Sequence, residues 1–197
     1  MKDLESICIY CGSSSGSRPE YRETAIALGG FLAGEGIRVV YGGGNVGLMG
    51  AVADGALDAG GEVIGVIPEA LEEKELAHNG LTELHAVASM HERKTMMAEL
   101  SDAFIALPGG IGTLEEIFEV YTWTQLGFHE KPCAFLNVAG YFDPLLEFLD
   151  RTVDQGFLKK EHLDCLLTGT DYRELIERIR NWKPGSFYKW IDREEQT

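Results

Sequence analysis

Short apolar runs recur along this chain, and between them lie longer stretches whose apolar residues return at helical spacing. Residues 6–10, 37–41, 63–67, 83–87, 103–107 and 133–138 read as strands, with a further candidate at 165–167. The stretches 18–35, 46–59, 91–101, 114–127, 144–155 and 172–182 read as helices. Several strand runs, VIGVI and FIAL among them, are apolar throughout instead of alternating. Such runs suit parallel strands covered on both faces. The alternation therefore predicts an α/β fold: a doubly wound, mainly parallel sheet between two layers of helices.

Local punctuation supports these elements. Ser17-x-x-Glu20 reads as a capping box with Pro19 in the first turn, Gly36 is placed to end that helix, and Asp143-Pro144 reads as an N-cap followed by proline at N1. The pattern holds no internal repeat and no low-complexity linker, so residues 1–182 are expected to form one domain. Lys183-Pro184-Gly185 breaks the last helix and opens a polar tail over 183–197. Its aromatics, Phe187, Tyr188 and Trp190, are expected either to fray with the tail or to pack on a neighbouring subunit.

Charge narrows the choice of partner. The 197 residues carry 17 Lys and Arg against 32 Asp and Glu, a formal net charge of −15. Such a surface repels phosphodiester backbones and anionic lipid, so nucleic acid and membranes are poor partners. An anionic small molecule needs local cations and backbone N–H groups to overcome that field. The start of the chain, MKDLESICIYCG, has an acid at position 3 and no long apolar core, so it does not read as a secretion signal. No window reaches the ~18 apolar residues of a membrane span, and the cytoplasm is the expected compartment.

Cys8 and Cys11 form a C-x-x-C pair, which in a βαβ setting is open to a redox reading. Cys8 falls inside an apolar strand run, however, and the first helix signal comes only at Ser17, whereas a reactive thiol needs a helix N-terminus to lower its pKa. A buried strand thiol is the expectation. No second Cys pair and no HExxH completes a zinc site, so no metal is expected.

Glycine gathers at strand-to-helix junctions, where backbone N–H groups can approach a ligand. The first junction runs from Tyr41 through Gly42, Gly43, Gly44, Asn45 and Val46 to Gly47, and holds the GxGxxG spacing. The acid about 20 residues on, Glu62, precedes the next strand instead of ending it, so the dinucleotide fingerprint is incomplete. These glycines either line a phosphate turn or simply let helix and sheet pack closely. The second junction, Leu107-Pro108-Gly109-Gly110-Ile111-Gly112-Thr113-Leu114-Glu115-Glu116, places free N–H groups and the positive end of a helix dipole where a phosphate would sit. Its Glu116 has two readings. Thr113-x-x-Glu116 fits a capping box, or the carboxylate stands beside the sugar of a bound nucleotide.

Upstream, Met90-His91-Glu92-Arg93-Lys94 opens a helix with two adjacent cations, which are either a solvated face or the charges that neutralise a phosphate. MHERK followed after 13 residues by PGGIGTLEE resembles the paired signature of the Lonely Guy family, MHxRK and PGGxGTxxE. Members of that family are cytokinin-activating nucleoside 5′-monophosphate phosphoribohydrolases, many formerly labelled lysine decarboxylase-like. The likeness extends through VYGGGNVGLMG, VIGVIP, AHNGLTEL, TWTQLGFHEKP and NVAGYFDPLLEFLD, from about Ile7 to Leu158. It implies a Rossmann-like fold, a homodimer, no cofactor and a nucleoside 5′-monophosphate substrate.

Carried over by position, the resemblance makes Arg93 and Glu116 catalytic. It gives Lys94 and the loop of Gly109, Gly110, Ile111, Gly112, Thr113, Leu114 and Glu115 to the phosphate and ribose, and Glu75 and Thr122 to further substrate contacts. Ser13, Ser14, Gly43 and Gly44 are expected to close the phosphate end. Met90, Met97 or residues of a second subunit are candidates for the pocket of an adenine N6 substituent, although Met96 and Met97 also read as core filler. The rivals are a nucleotide sensor or carrier without chemistry, and a pyridoxal phosphate decarboxylase, for which Lys94 is the lysine inside a site motif.

Overall fold

A computed structural model describes residues 4–72 and 77–183. Among these residues seven strands, β1 (Ser6–Tyr10), β2 (Arg38–Tyr41), β3 (Val63–Pro68), β4 (Glu83–Val87), β5 (Ala103–Ala106), β6 (Cys133–Leu136) and β7 (Leu166–Gly169), form one parallel sheet. Their spatial order is β4-β3-β2-β1-β5-β6-β7. The helices are α1 (Pro19–Gly34), α2 (Gly47–Asp58), α3 (Glu69–Glu72), α4 (Met90–Glu99), α5 (Ile111–Leu126), α6 (Asp143–Asp154), α7 (Lys160–Asp164) and α8 (Tyr172–Arg180). One face of the sheet packs on α1, α2 and α8 around Leu28, Val52 and Ile176, and the other on α4 to α7 around Met97, Ile117 and Phe135. The result is the three-layer, doubly wound α/β fold expected. The all-apolar runs β3 and β5 are buried at every position, whereas β4 lies at the sheet edge with its first residues exposed.

The winding direction reverses at β1, which pairs with β2 on one side and β5 on the other. Loops leaving the carboxyl ends of β1 and β5 therefore diverge and leave a crevice, the usual ligand position in such sheets.

Element ends differ from expectation for identifiable reasons. The predicted capping box at Ser17 does not form: Pro19 takes the first helical position, Arg18 is the N-cap, and Glu20 pairs with the Arg18 guanidinium at 2.8 Å. Gly36 ends α1 as expected, in left-handed conformation at φ +70°, with the Ile37 N–H returning to the Leu32 carbonyl, so β2 starts only at Arg38. The strand expected over 133–138 stops at Leu136, because the Asn137 side chain bonds Asp143 and the Phe142 N–H and turns the chain into a 3-10 segment, Val138–Gly140. Asp143 accordingly lies inside α6 and Phe142 is its N-cap. The polar tail from 184 onward, with Phe187, Tyr188 and Trp190, lies outside the described residues.

Candidate active site

Helix α4 begins with a capped first turn. The Ser89 hydroxyl accepts from the Glu92 N–H and the Glu92 carboxylate from the Ala88 N–H, which fixes the first turn and with it Arg93. Arg93 is 5% exposed. Its Nε donates to the Val66 carbonyl and its Nη2 to the Gly42 carbonyl, both at 3.1 Å, so the guanidinium spans the carboxyl ends of β3 and β2. Its Nη1 faces Glu116 Oε1 at 3.9 Å. The approach depends on Gly42, where a β-carbon would collide with Nη2.

Glu116 does not cap its helix. Helix α5 starts at Ile111 with Gly110 as N-cap, so Thr113 lies within the first turn and Glu116 within the second. That overturns the capping-box reading of Thr113-x-x-Glu116. The Glu116 side chain is 13% exposed, and its charge acts on the loop after β1: burial first and the Glu116 charge second push the Cys11 thiol up. Burial likewise pushes Cys8 up, and both thiols are free. Neither favours the thiolate a redox motif needs.

The glycine loops form the crevice at the β1/β5 divergence. The Gly12 N–H donates to the Pro108 carbonyl and the Gly12 carbonyl accepts from the Leu48 N–H, both at 3.0 Å, which knits the loops after β1 and β5 to the start of α2. A cleft of about 310 Å³ opens there, lined by Ser13, Ser14, Ser15, Gly16, Gly109, Gly110, Tyr21 and Tyr141. Gly109 has no room for a β-carbon, which would strike the Thr113 side chain. Gly110 and Gly112 face open space, and the N-cap of α5, Gly110, has no side chain with which to cap its amides. Uncapped N–H groups at a helix start beside an open cleft can hold an anion.

Other expected residues are placed differently. Gly43 and Gly44 do not line this cleft: both are buried, the Gly43 carbonyl accepts from the His78 N–H at 3.0 Å, and Gly44 bridges Ala77. Lys94 Nζ lies 2.5 Å from Glu115 Oε1 and 3.0 Å from Glu119, so the ammonium ties α4 to α5. Burial opposes its charge, but the hydrogen bonds to Glu115 and Glu119 outweigh that and raise its pKa above the lysine norm. Thr122 is exposed on α5 and donates to its own helix at the Phe118 carbonyl. Met97 is core and Met90 is 41% exposed, its sulfur 3.8 Å from Arg93 Nη1. Glu75 lies outside the described residues. Tyr21 and Tyr141 escaped sequence reading, since neither belongs to a glycine motif. Among the described residues no cluster of three or more His, Cys, Asp or Glu could hold a metal ion, and no helix is long and apolar enough to cross a membrane.

With a glycine-rich helix start and an Arg–Glu pair near its switch point, the sheet defines a class: Rossmann-like α/β proteins with an open crevice at the carboxyl ends of the strands. Comparison narrows this. Residues 49–179 match the family described as possible lysine decarboxylase, and the chain belongs to that family. It is 47% identical over 178 residues to the cytokinin riboside 5′-monophosphate phosphoribohydrolase LOG3 of Arabidopsis thaliana, covering 90% of this chain and 83% of the relative. To the LOG enzyme of Oryza sativa subsp. japonica it is also 47% identical, covering 90% of this chain and 74% of that one. Among solved structures, the molybdenum cofactor carrier protein of Chlamydomonas reinhardtii superposes with a TM-score of 0.69 at 21% identity, over 91% of this chain and 98% of that one. That likeness is one of fold.

Proposed function

We propose that this protein is a phosphoribohydrolase: it cleaves the N-glycosidic bond of adenosine 5′-monophosphates, N6-modified ones included, to free base and ribose 5-phosphate. The observation that carries the reading is the Glu116 carboxylate, 3.9 Å from a guanidinium anchored to two backbone carbonyls, on the helix whose uncapped start opens into the cleft. Nearly half the sequence is shared with relatives named for this reaction.

The 5′-phosphate sits on the N–H groups at the start of α5 and in the Ser13–Ser14 loop, and that remote binding energy positions the sugar. As the C1′–N bond breaks, its electron pair leaves with the base and positive charge develops on the ribose. Glu116 stabilises that charge and takes a proton from the water that bonds to C1′; the departing base takes a proton from solvent and Glu116 returns its own to solvent, so the base is neutral and the carboxylate ionised again at the end of the turnover. Arg93, its other edges held by Val66 and Gly42, keeps the carboxylate in place. Lys94 acts through Glu115 and Glu119, fixing α5 against α4.

A pyridoxal phosphate decarboxylase, which the family description suggests, does not fit Lys94. A Schiff-base lysine works with a lowered pKa, whereas this ammonium is held charged by two carboxylates. We also propose a homodimer. Phe128, 74% exposed, lines a groove of about 480 Å³ with Trp123, His129, Glu99 and Lys131, and Leu126 nearby in the chain is exposed as well, a surface that a second copy can cover.

Chromatography of base and ribose 5-phosphate after incubation with AMP, N6-isopentenyl-AMP and adenosine tests the function. Release from either nucleotide but not from adenosine is expected. A carrier would return both nucleotides intact, and equal kcat/KM for adenosine would remove the phosphate's role.

A further inference from the structure

Tyr141 belongs to no glycine motif, yet its hydroxyl donates to the Gly109 carbonyl at 2.5 Å, across 32 residues of sequence and at the edge of the cleft. The loop that carries it is held in an uncommon conformation. Ala139 lies at φ +54°, a region that residues with a β-carbon seldom occupy, and Gly140 follows at φ +74°. Asn137 clasps this loop from inside, donating to Asp143 at 2.6 Å and accepting from the Phe142 N–H at 2.7 Å. The Tyr141 ring stands edge-on to Tyr21 at 5.7 Å and to Phe142 at 5.0 Å. So much local constraint on one exposed phenol suggests that its direction matters.

The partner supplies the reason. The peptide joining Gly109 to Gly110 is flanked by two residues without a β-carbon, so it can rotate to exchange the directions of its C=O and N–H. In a trans peptide those two groups point opposite ways. Tying the Gly109 carbonyl to Tyr141 therefore fixes the direction of the Gly110 N–H at the uncapped start of α5. Rotated the other way, the same peptide would present a carbonyl dipole where an anion needs a donor.

We propose that Tyr141 is a positioning residue for phosphate recognition: its hydroxyl locks the Gly109–Gly110 peptide in the orientation that offers N–H groups to the 5′-phosphate. This deepens the phosphoribohydrolase reading and rests on it for the identity of the anion. The lock has a second handle. Gly110 lies at φ −93°, ψ −156°, with open space where a β-carbon would go, so alanine fits there as the chain stands. Rotation of the peptide would carry that φ to the left-handed side, which alanine resists.

The experiment compares the parent protein, Tyr141→Phe, Gly110→Ala and the double variant. KM and kcat for AMP are read by base release, and binding of AMP and of inorganic phosphate by calorimetry. Thermal midpoints confirm folding, since Tyr141→Phe keeps the ring and its aromatic contacts. Loss of one aligned donor to a dianion is expected to raise KM and both dissociation constants about tenfold, with kcat changed less than about threefold. In the Gly110→Ala background the same Tyr141→Phe change is expected to cost less than about threefold, because alanine has removed the rotated alternative. Unchanged phosphate and AMP binding in Tyr141→Phe overturns the lock, and so does an equal loss in both backgrounds. Binding of AMP without base release would end the hydrolase reading, yet the calorimetric comparison would still decide the lock.

Discussion

A β-carbon on Gly42 would clash with Nη2 of Arg93. The glycine at the end of β2 is therefore the seat of the buried guanidinium, and its carbonyl is one of the two acceptors that hold it. Gly42→Ala is expected to push Arg93 off that seat and break its alignment with Glu116. Displacement of a positioning group by about 1 Å costs about 10²-fold in rate, and the crowded site loses about 1–3 kcal/mol of stability. Base release and thermal midpoint measured together check this; turnover within threefold of the parent would show that the seat is irrelevant to chemistry.

Glu116→Gln keeps the side chain's size and removes its charge. If the carboxylate stabilises the sugar and takes the proton from water, turnover falls by about 10²–10⁴-fold while substrate affinity changes little. Arg93→Lys is expected to lose activity too. One ammonium keeps the charge but cannot serve the Val66 and Gly42 carbonyls and still face Glu116 from a third edge. Single-turnover rates with AMP, beside equilibrium binding of AMP to each variant, separate lost chemistry from lost affinity.

How much of this site the chain announces in advance depends on the range of each interaction. Arg93 and Glu116 stand out through their motifs, and the strands through unbroken apolar runs. The pattern Ser/Thr-x-x-Glu occurs at Ser17, Ser89 and Thr113, but only Ser89 is the N-cap of its helix, because Pro19 and the glycine run before Ile111 start the other two elsewhere. Helices α3 and α7 span 4 and 5 residues, too short to display a helical period. Tyr141 reaches Gly109 across 32 residues, from a loop in which Ala139 adopts a positive φ, and Lys94 meets Glu119 only once α4 and α5 lie side by side. Local spacing encodes neither contact.

The pairing of Lys94 separates two roles that the motif alone leaves merged. A phosphate ligand, once removed, raises KM and leaves the fold intact. A strut between helices does the opposite. With its side chain 9% exposed and two carboxylates attached, Lys94→Met is expected to strand Glu119, itself 26% exposed, and to lower stability by about 1–3 kcal/mol. KM for AMP should change less than about threefold. Urea unfolding and steady-state kinetics on one preparation decide between the roles, and a tenfold rise in KM at unchanged stability would return Lys94 to the phosphate.

His129 gives the fold an acid-sensitive element away from the catalytic pair. Its ring lies 5.4 Å from Phe104, its Nδ1 accepts from the Lys131 N–H at 3.2 Å, and its Nε2 is buried with no hydrogen-bond partner among the described residues. Burial first, and the charge of Lys131 second, push its pKa from 6.5 down to about 4. In the unfolded chain the imidazole takes a proton as pH falls through about 6.5, while the folded protein refuses it until about 4. The neutral ring's contribution is therefore whole above pH 6.5 and is lost progressively between 6.5 and 4. The full shift corresponds to about 3 kcal/mol, which partial exposure of the ring reduces to about 1–2 kcal/mol. Urea unfolding at about pH 7.5 and about pH 4.5 is expected to show the parent losing that much more stability than His129→Gln, which cannot titrate. If both proteins lose the same amount, the acid sensitivity originates in other groups and His129 is already solvated in the fold.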